Sequence, residues 1–143
     1  MSNNVAARWG GGPLYWNIHG ISSKTLGDKT NDAKFRETLS EFDVIGISEL
    51  HTNNYISIPG FHRISQKFRV KKDNSPKIGG GIAVFSKNDI ASNFRLLSNN
   101  NVDSIWITST GSEETHIGFY YFSPENGDSN FQNIIGPPKG KVL

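Results

Sequence analysis

Two side chains with oxygen donors stand where short apolar runs end. Asn17 lies in Leu14 to Ile18 (LYWNI), which closes at His19-Gly20, and Glu49 follows Asp43 to Ser48 (DVIGIS). In mixed α/β sheets, functional groups gather at strand ends, where the rigid sheet aims side chains into a crevice. A carboxylate beside a carboxamide there offers hard oxygen ligands to a cation such as magnesium. On pattern alone, a single Glu after a strand is more often a capping or turn residue, so the metal reading needs further support.

The histidines are His19, His51, His62 and His116, and no pair has the close helical spacing of a zinc site. Each reads first as a surface or partly buried hydrogen-bonding residue. His51 follows Glu49 by two, so on an extended backbone the two side chains point the same way. The stretch 61–77 carries Arg63, Lys67, Arg69, Lys71, Lys72 and Lys77 against Asp73 alone. Such a run serves equally as a solvated loop or as a grip on nucleic-acid phosphates, which is a salt-sensitive contact blind to sequence. Gly79-Gly80-Gly81 precedes a strand and lacks a following Lys-Ser/Thr, so it reads as a turn and not as a phosphate cradle. Trp106 and Phe85 sit inside apolar runs and are expected in the core. Tyr15, Trp16, Tyr120 and Tyr121 are either core or base-stacking residues, with core the better expectation. The hydrolase signatures GxSxG and HExxH do not occur.

The elements that must position these residues follow from periodicity. LYWNI and DVIGIS read as strands, the second apolar enough to be buried on both faces. Between them Phe35, Leu39 and Phe42 recur near helical spacing, which predicts an amphipathic helix over roughly 31–41. Strand, helix, strand opens a mixed α/β fold. Residues 82–86 (IAVFS) predict another buried strand, and 102–108 with 115–122 a hairpin around a Gly-Ser-Glu-Glu turn. Residues 1–13 are expected to be a loose lead-in, 14–125 the domain, and 126–143 an irregular tail.

A chain of 143 residues with net charge +2 supports one domain and carries no strong overall polyanion-binding field. The absence of cysteine excludes disulfides, thiolate zinc sites and Cys nucleophiles. No apolar run approaches the ~20 residues of a membrane helix, and the first residues lack a signal-peptide core. The expectation is a protein of the nucleus or cytoplasm with no membrane partner.

Five segments, taken together, resemble the endonuclease/exonuclease/phosphatase superfamily, and within it the endonucleases of non-LTR retrotransposons. Trp16-Asn17-Ile18-His19-Gly20 resembles the "WNxxG" opening, and Asp43 to His51 resembles the "DIIxxxETH" strand, with Glu49 at the metal-binding glutamate. Ile58-Pro59-Gly60-Phe61 resembles the "IPGY/F" turn and Gly80 to Phe85 the "GGVAIxV" strand. Tyr121-Phe122-Ser123-Pro124 resembles the "YRPP" segment, with Tyr121 at the tyrosine. They fall in the family's order across roughly residues 14–125.

The resemblance implies a four-layered α/β sandwich, two packed mixed sheets flanked by helices. It implies Mg2+- or Mn2+-dependent phosphoester hydrolysis with Glu49 and Asn17 at the metal, Tyr121 at the scissile phosphate, and DNA as substrate. Arg63, Lys67, Arg69, Lys71 and Lys72 are the expected DNA contacts. A reverse transcriptase domain in a parent polyprotein is the expected partner. Leu50 and Ser123 depart from the family's Thr and Pro. The family's later "GDxN" and "SDH" segments, which supply the water-activating acid and histidine, have no counterpart here. The stretch at 126–130 (NGDSN) follows Tyr121 too closely to be the first of them. A partial sandwich lacking its C-terminal half, inactive alone, is therefore expected. The alternatives are a non-catalytic nucleic-acid-binding module and a phosphatase of the same superfamily.

Overall fold

The computed structural model describes residues 11–23, 27–69, 78–111 and 114–122. A four-stranded mixed sheet and a three-stranded antiparallel sheet stack face to face, with one helix on the outer face of the first. The α/β class is as expected, and the described residues build three layers of the sandwich.

The mixed sheet has β1 (Pro13–Asn17) beside β4 (Val44–Ser48), then β6 (Ile82–Lys87), then β5 (Phe61–Lys67). β1 and β4 run parallel, with Asn17 opposite Ser48, while β6 is antiparallel to both β4 and β5. A short hairpin of β2 (Ser22–Ser23) and β3 (Gly27–Asp28) follows β1. The second sheet has β7 (Phe94–Leu97), β8 (Ser104–Ser109) and β9 (His116–Tyr120) in chain order.

Every residue of β4 is buried, as its apolar sequence required. Alternation sends Ile45 and Ile47 to one face, where they meet Phe35, Leu39, Ala83 and Phe85. Val44 goes to the other face, into a layer with Ile82, Val84, Ile105, Ile107 and Phe119. Gly46 faces that layer as well, and a Cβ there would overlap the Phe119 ring. A residue without a side chain is what lets the two sheets close at this point.

The helix α1 (Ala33–Ser40) is two residues shorter at its start than the periodicity suggested. Asp32 caps it, its carboxylate accepting from Phe35 N at 3.1 Å, and residues Lys29–Asn31 form a separate 3₁₀ turn. Phe35 and Leu39 are its buried residues, so the amphipathic reading holds.

Several expectations change. Part of the basic stretch is a strand and not a loop: β5 alternates poorly because its flexible cations lie partly buried along the sheet. β7 carried no clear sequence signal, being only four residues long. Pro13, placed in the lead-in, already belongs to β1, where a proline is tolerated at the first position. Tyr15 and Trp16 are 43% and 36% exposed because β1 is the outermost strand of its sheet among the described residues. Trp106 is only partly buried, whereas Phe85 is fully buried and Tyr121 is buried at 8% exposure. The tail at 126–143, the first ten residues, and Lys71 and Lys72 lie outside the described residues. Among the described residues no helix is long and apolar enough to cross a membrane.

Candidate active site

The ends of β1 and β4 meet the end of β9 at one corner of the sandwich, and Glu49 sits there. Its side chain is 15% exposed. The chain leaves β4 in left-handed backbone conformations, with φ of 55° at Glu49 and 53° at His51, and φ is 52° at His19 on the facing turn. Left-handed non-glycine residues are uncommon, cost of order 1–3 kcal/mol each, and persist only where surrounding bonds impose them. Those bonds are present on both sides. Gly20 N donates to Glu49 O at 2.6 Å and Ile21 N to Leu50 O at 2.9 Å, while His51 N donates to Gly80 O at 3.0 Å.

The glycine run at 79–81 is thus a brace for the loop that carries Glu49. Gly80 and Gly81 have φ of 64° and 95°, which glycine adopts freely. The sequence predicts a turn for this run; the structure shows it as irregular backbone leading into β6, and Gly80 offers its carbonyl to His51.

Glu49 is held at both oxygens. Tyr121 Oη donates to Oε1 at 3.1 Å, and His19 Nδ1 lies 3.0 Å from Oε2. His51 Nε2 is farther, at 4.0 Å from Oε1. The expectation that Glu49 and His51 project together rested on extended backbone; the left-handed turn breaks that alternation, and His19 becomes the nearer imidazole. No sequence spacing marked His19, because it approaches across the sheet from β1.

Asn17 joins this corner indirectly. Its Oδ1 accepts from His19 N at 3.1 Å, an Asx turn that stabilises the bend presenting His19. Beneath it, Tyr15 Oη donates to the fully buried Ser48 Oγ at 2.6 Å.

Burial pushes the Tyr121 phenol up to about 12, and the neighbouring Glu49 charge adds to the effect while Arg69 opposes it. The phenol is thus a neutral donor at physiological pH. Burial likewise raises Tyr15 above its usual range, with the Ser48 hydrogen bond working against it.

The expected DNA-contact residues have structural partners. Arg63 lies over the Tyr55 ring at 4.7 Å and donates to Ile56 O at 2.8 Å. Lys67 Nζ donates to Asn99 O, Asn99 Oδ1 and Asn101 O at 3.2, 3.0 and 2.9 Å. Burial lowers its pKa from the usual lysine value. Arg69 forks onto Asp103, with Nε to Oδ1 at 2.8 Å and Nη2 to Oδ2.

This donor set can be tested against a metal. Among the described residues no group of three or more His, Cys, Asp or Glu is placed to enclose an ion. A closed cage is therefore not what these residues make. Magnesium, however, is commonly held by one or two carboxylates with the remaining positions taken by water and substrate phosphate. One partly exposed carboxylate, oriented by a phenol, fits that open mode.

The model of the Endonuclease/Exonuclease/phosphatase family matches residues 14–138. The chain belongs to the Endonuclease/Exonuclease/phosphatase family. No curated protein and no solved structure was found to match it. The family is one of phosphoester hydrolases and is generally dependent on divalent metals. Such an ion supplies Lewis-acid polarisation of a phosphate.

Proposed function

We propose that this domain is a metal-dependent phosphodiester hydrolase of the retrotransposon endonuclease type, with DNA as substrate, and that this chain alone binds without cleaving. The observation that carries the first part is the bond from Tyr121 to Glu49, which joins two motif residues 72 positions apart in one corner. Glu49 is the metal carboxylate in this reading, and Asn17 supports the turn beside it. Tyr121 orients the carboxylate and stands where a phosphate would arrive. Its hydroxyl has one proton, so donation to a phosphate and to Glu49 are exclusive alternatives.

The second part rests on the missing water-activating pair. No Ser-Asp-His occurs in the sequence, and Asp103, whose backbone carbonyl accepts from Tyr121 N, has its carboxylate engaged by Arg69. Removing a general base costs ~10²–10⁴-fold in rate. A phosphatase of the same family remains compatible with the corner. A grip on DNA through Arg63, Lys67 and Arg69 in particular has less support, because these three are committed to contacts within the fold.

Supercoiled plasmid incubated with Mg2+, beside a Glu49→Ala control, tests the proposal. Retention of DNA without nicking, together with Mg2+ binding that Glu49→Ala removes, is the expected result. Nicking that depends on Glu49 would overturn the claim of inactivity and strengthen the hydrolase assignment. Metal binding indifferent to Glu49→Ala would sink the assignment of the ligand.

A further inference from the structure

Arg69 follows β5 of the mixed sheet, and Asp103 precedes β8 of the antiparallel sheet, so their bidentate pair ties the two sheets together at the corner that holds Glu49. The pair is largely shielded, with side chains 22% and 18% exposed. Two further contacts lead from it to Tyr121. The Arg69 guanidinium lies over the Tyr121 ring at 5.6 Å, and Tyr121 N donates to Asp103 O at 2.8 Å. Tyr121 is therefore held at its ring by one member of the pair and at its backbone by the other. Its hydroxyl then reaches Glu49 Oε1. Gly80 leaves room for the Arg69 side chain, and a Cβ there would collide with Arg69 Cδ.

We infer that Arg69 is a positioning residue whose fork onto Asp103 sets the Tyr121 ring so that its hydroxyl meets the Glu49 carboxylate. The requirement is for the guanidinium shape and not for positive charge alone. A planar fork can bind a carboxylate through two parallel bonds while its face covers a ring; an ammonium is a point charge and does neither in the same way. The role deepens the reading of Glu49 as the working carboxylate and rests on it, but its test needs no catalysis. Failure of the plasmid experiment and failure of this inference are thus distinguishable.

The test is the side-chain carboxyl 13C signal of Glu49 in the full chain at constant pH, assigned through Glu49→Gln. Tyr121→Phe, which removes the donor, defines the shift expected when the hydrogen bond is lost. Arg69→Lys keeps the charge and is expected to reproduce most of that shift, with the fold checked by circular dichroism. Asp103→Asn, which leaves Arg69 in place but removes the carboxylate its fork grips, is expected to move the signal the same way. It also covers the case in which Arg69→Lys fails to fold. An Arg69→Lys signal that stays at the wild-type position, while Tyr121→Phe moves it, would show that charge alone suffices and overturn the inference. A signal that moves with neither substitution in a folded protein would overturn it equally, since the hydrogen bond at its centre would be absent.

Discussion

The phenol of Tyr121 donates to Glu49 Oε1 at 3.1 Å from just beyond the end of a strand in the other sheet. Because one oxygen of the carboxylate is fixed in this way, its direction depends on how the two sheets are stacked. Outer-shell partners of a metal ligand are commonly worth 10–100-fold in metal affinity or activity. Tyr121→Phe is accordingly expected to weaken Mn2+ binding by about that factor, and Glu49→Ala to abolish it. Titration calorimetry with Mn2+ alone measures both. Equal affinity in Tyr121→Phe and wild type would mean that the carboxylate needs no help from the phenol.

The same phenol predicts a pH dependence at the alkaline end. Its folded-state value of about 12 lies above the ordinary tyrosine value of 10.0, so the folded protein binds its proton more tightly than the unfolded chain does. A raised folded-state value contributes stability in full below the unfolded value, and that stability is lost as pH rises through the folded one. Urea unfolding at fixed temperature should therefore show stability falling between about pH 10 and pH 12. Tyr15 is raised in the same direction, so Tyr121→Phe should make the fall shallower without removing it. An identical alkaline profile in Tyr121→Phe would mean that this phenol is not the group responsible.

Legibility in the sequence followed the kind of interaction involved. β4 was readable because burial on both faces demands a continuous apolar run, and α1 because its buried stripe repeats at Phe35 and Leu39. Glu49 was singled out by its place at a strand end and Tyr121 by resemblance; their mutual contact was not legible, since nothing local in the chain encodes a bond between two sheets. His19 was passed over for a related reason: it meets Glu49 through parallel pairing of β1 with β4, whereas His51 is close only in sequence. Arg69 looked like one cation among many because its partner Asp103 is 34 positions away. Short strands such as β7 carry too few residues for their period to show.

Arg63 and Lys67 make a prediction about DNA binding, because each is committed to the fold. A lysine whose ammonium is covered by carbonyl oxygens and whose burial lowers its pKa is poorly placed to release counterions from a phosphate chain. Lys67→Ala and Arg63→Ala are expected to lower the thermal midpoint while leaving the slope of log affinity against log salt unchanged. A cation that does sit on a phosphate reduces that slope by about one when removed. Filter retention of a short duplex across a salt series separates the cases. A slope reduced by about one in either variant would restore that residue as a phosphate contact.

Gly46 and Phe119 give the most direct test of how the sheets are stacked. A Cβ at position 46 would fall within the Phe119 ring, and the ring is 4% exposed among Val44, Ile105 and Ile107, with no solvent-side space to enter. Overpacking a filled core typically costs 1–3 kcal/mol, so Gly46→Ala should lower the urea midpoint by that order with little change in slope. Phe119→Leu alone should also destabilise, through lost buried area. Combined, the smaller side chain at 119 should admit the new methyl group, and the double variant should be more stable than the sum of the two losses implies. Couplings between touching residues usually amount to about 0.5–3 kcal/mol. Strict additivity would mean that Phe119 is not what position 46 meets. Because Phe119 lies two residues before Tyr121 at the end of β9, a displaced ring should also disturb the phenol's reach to Glu49. Gly46→Ala is thus expected to weaken Mn2+ binding as well as stability, and Phe119→Leu in the same chain to recover part of both.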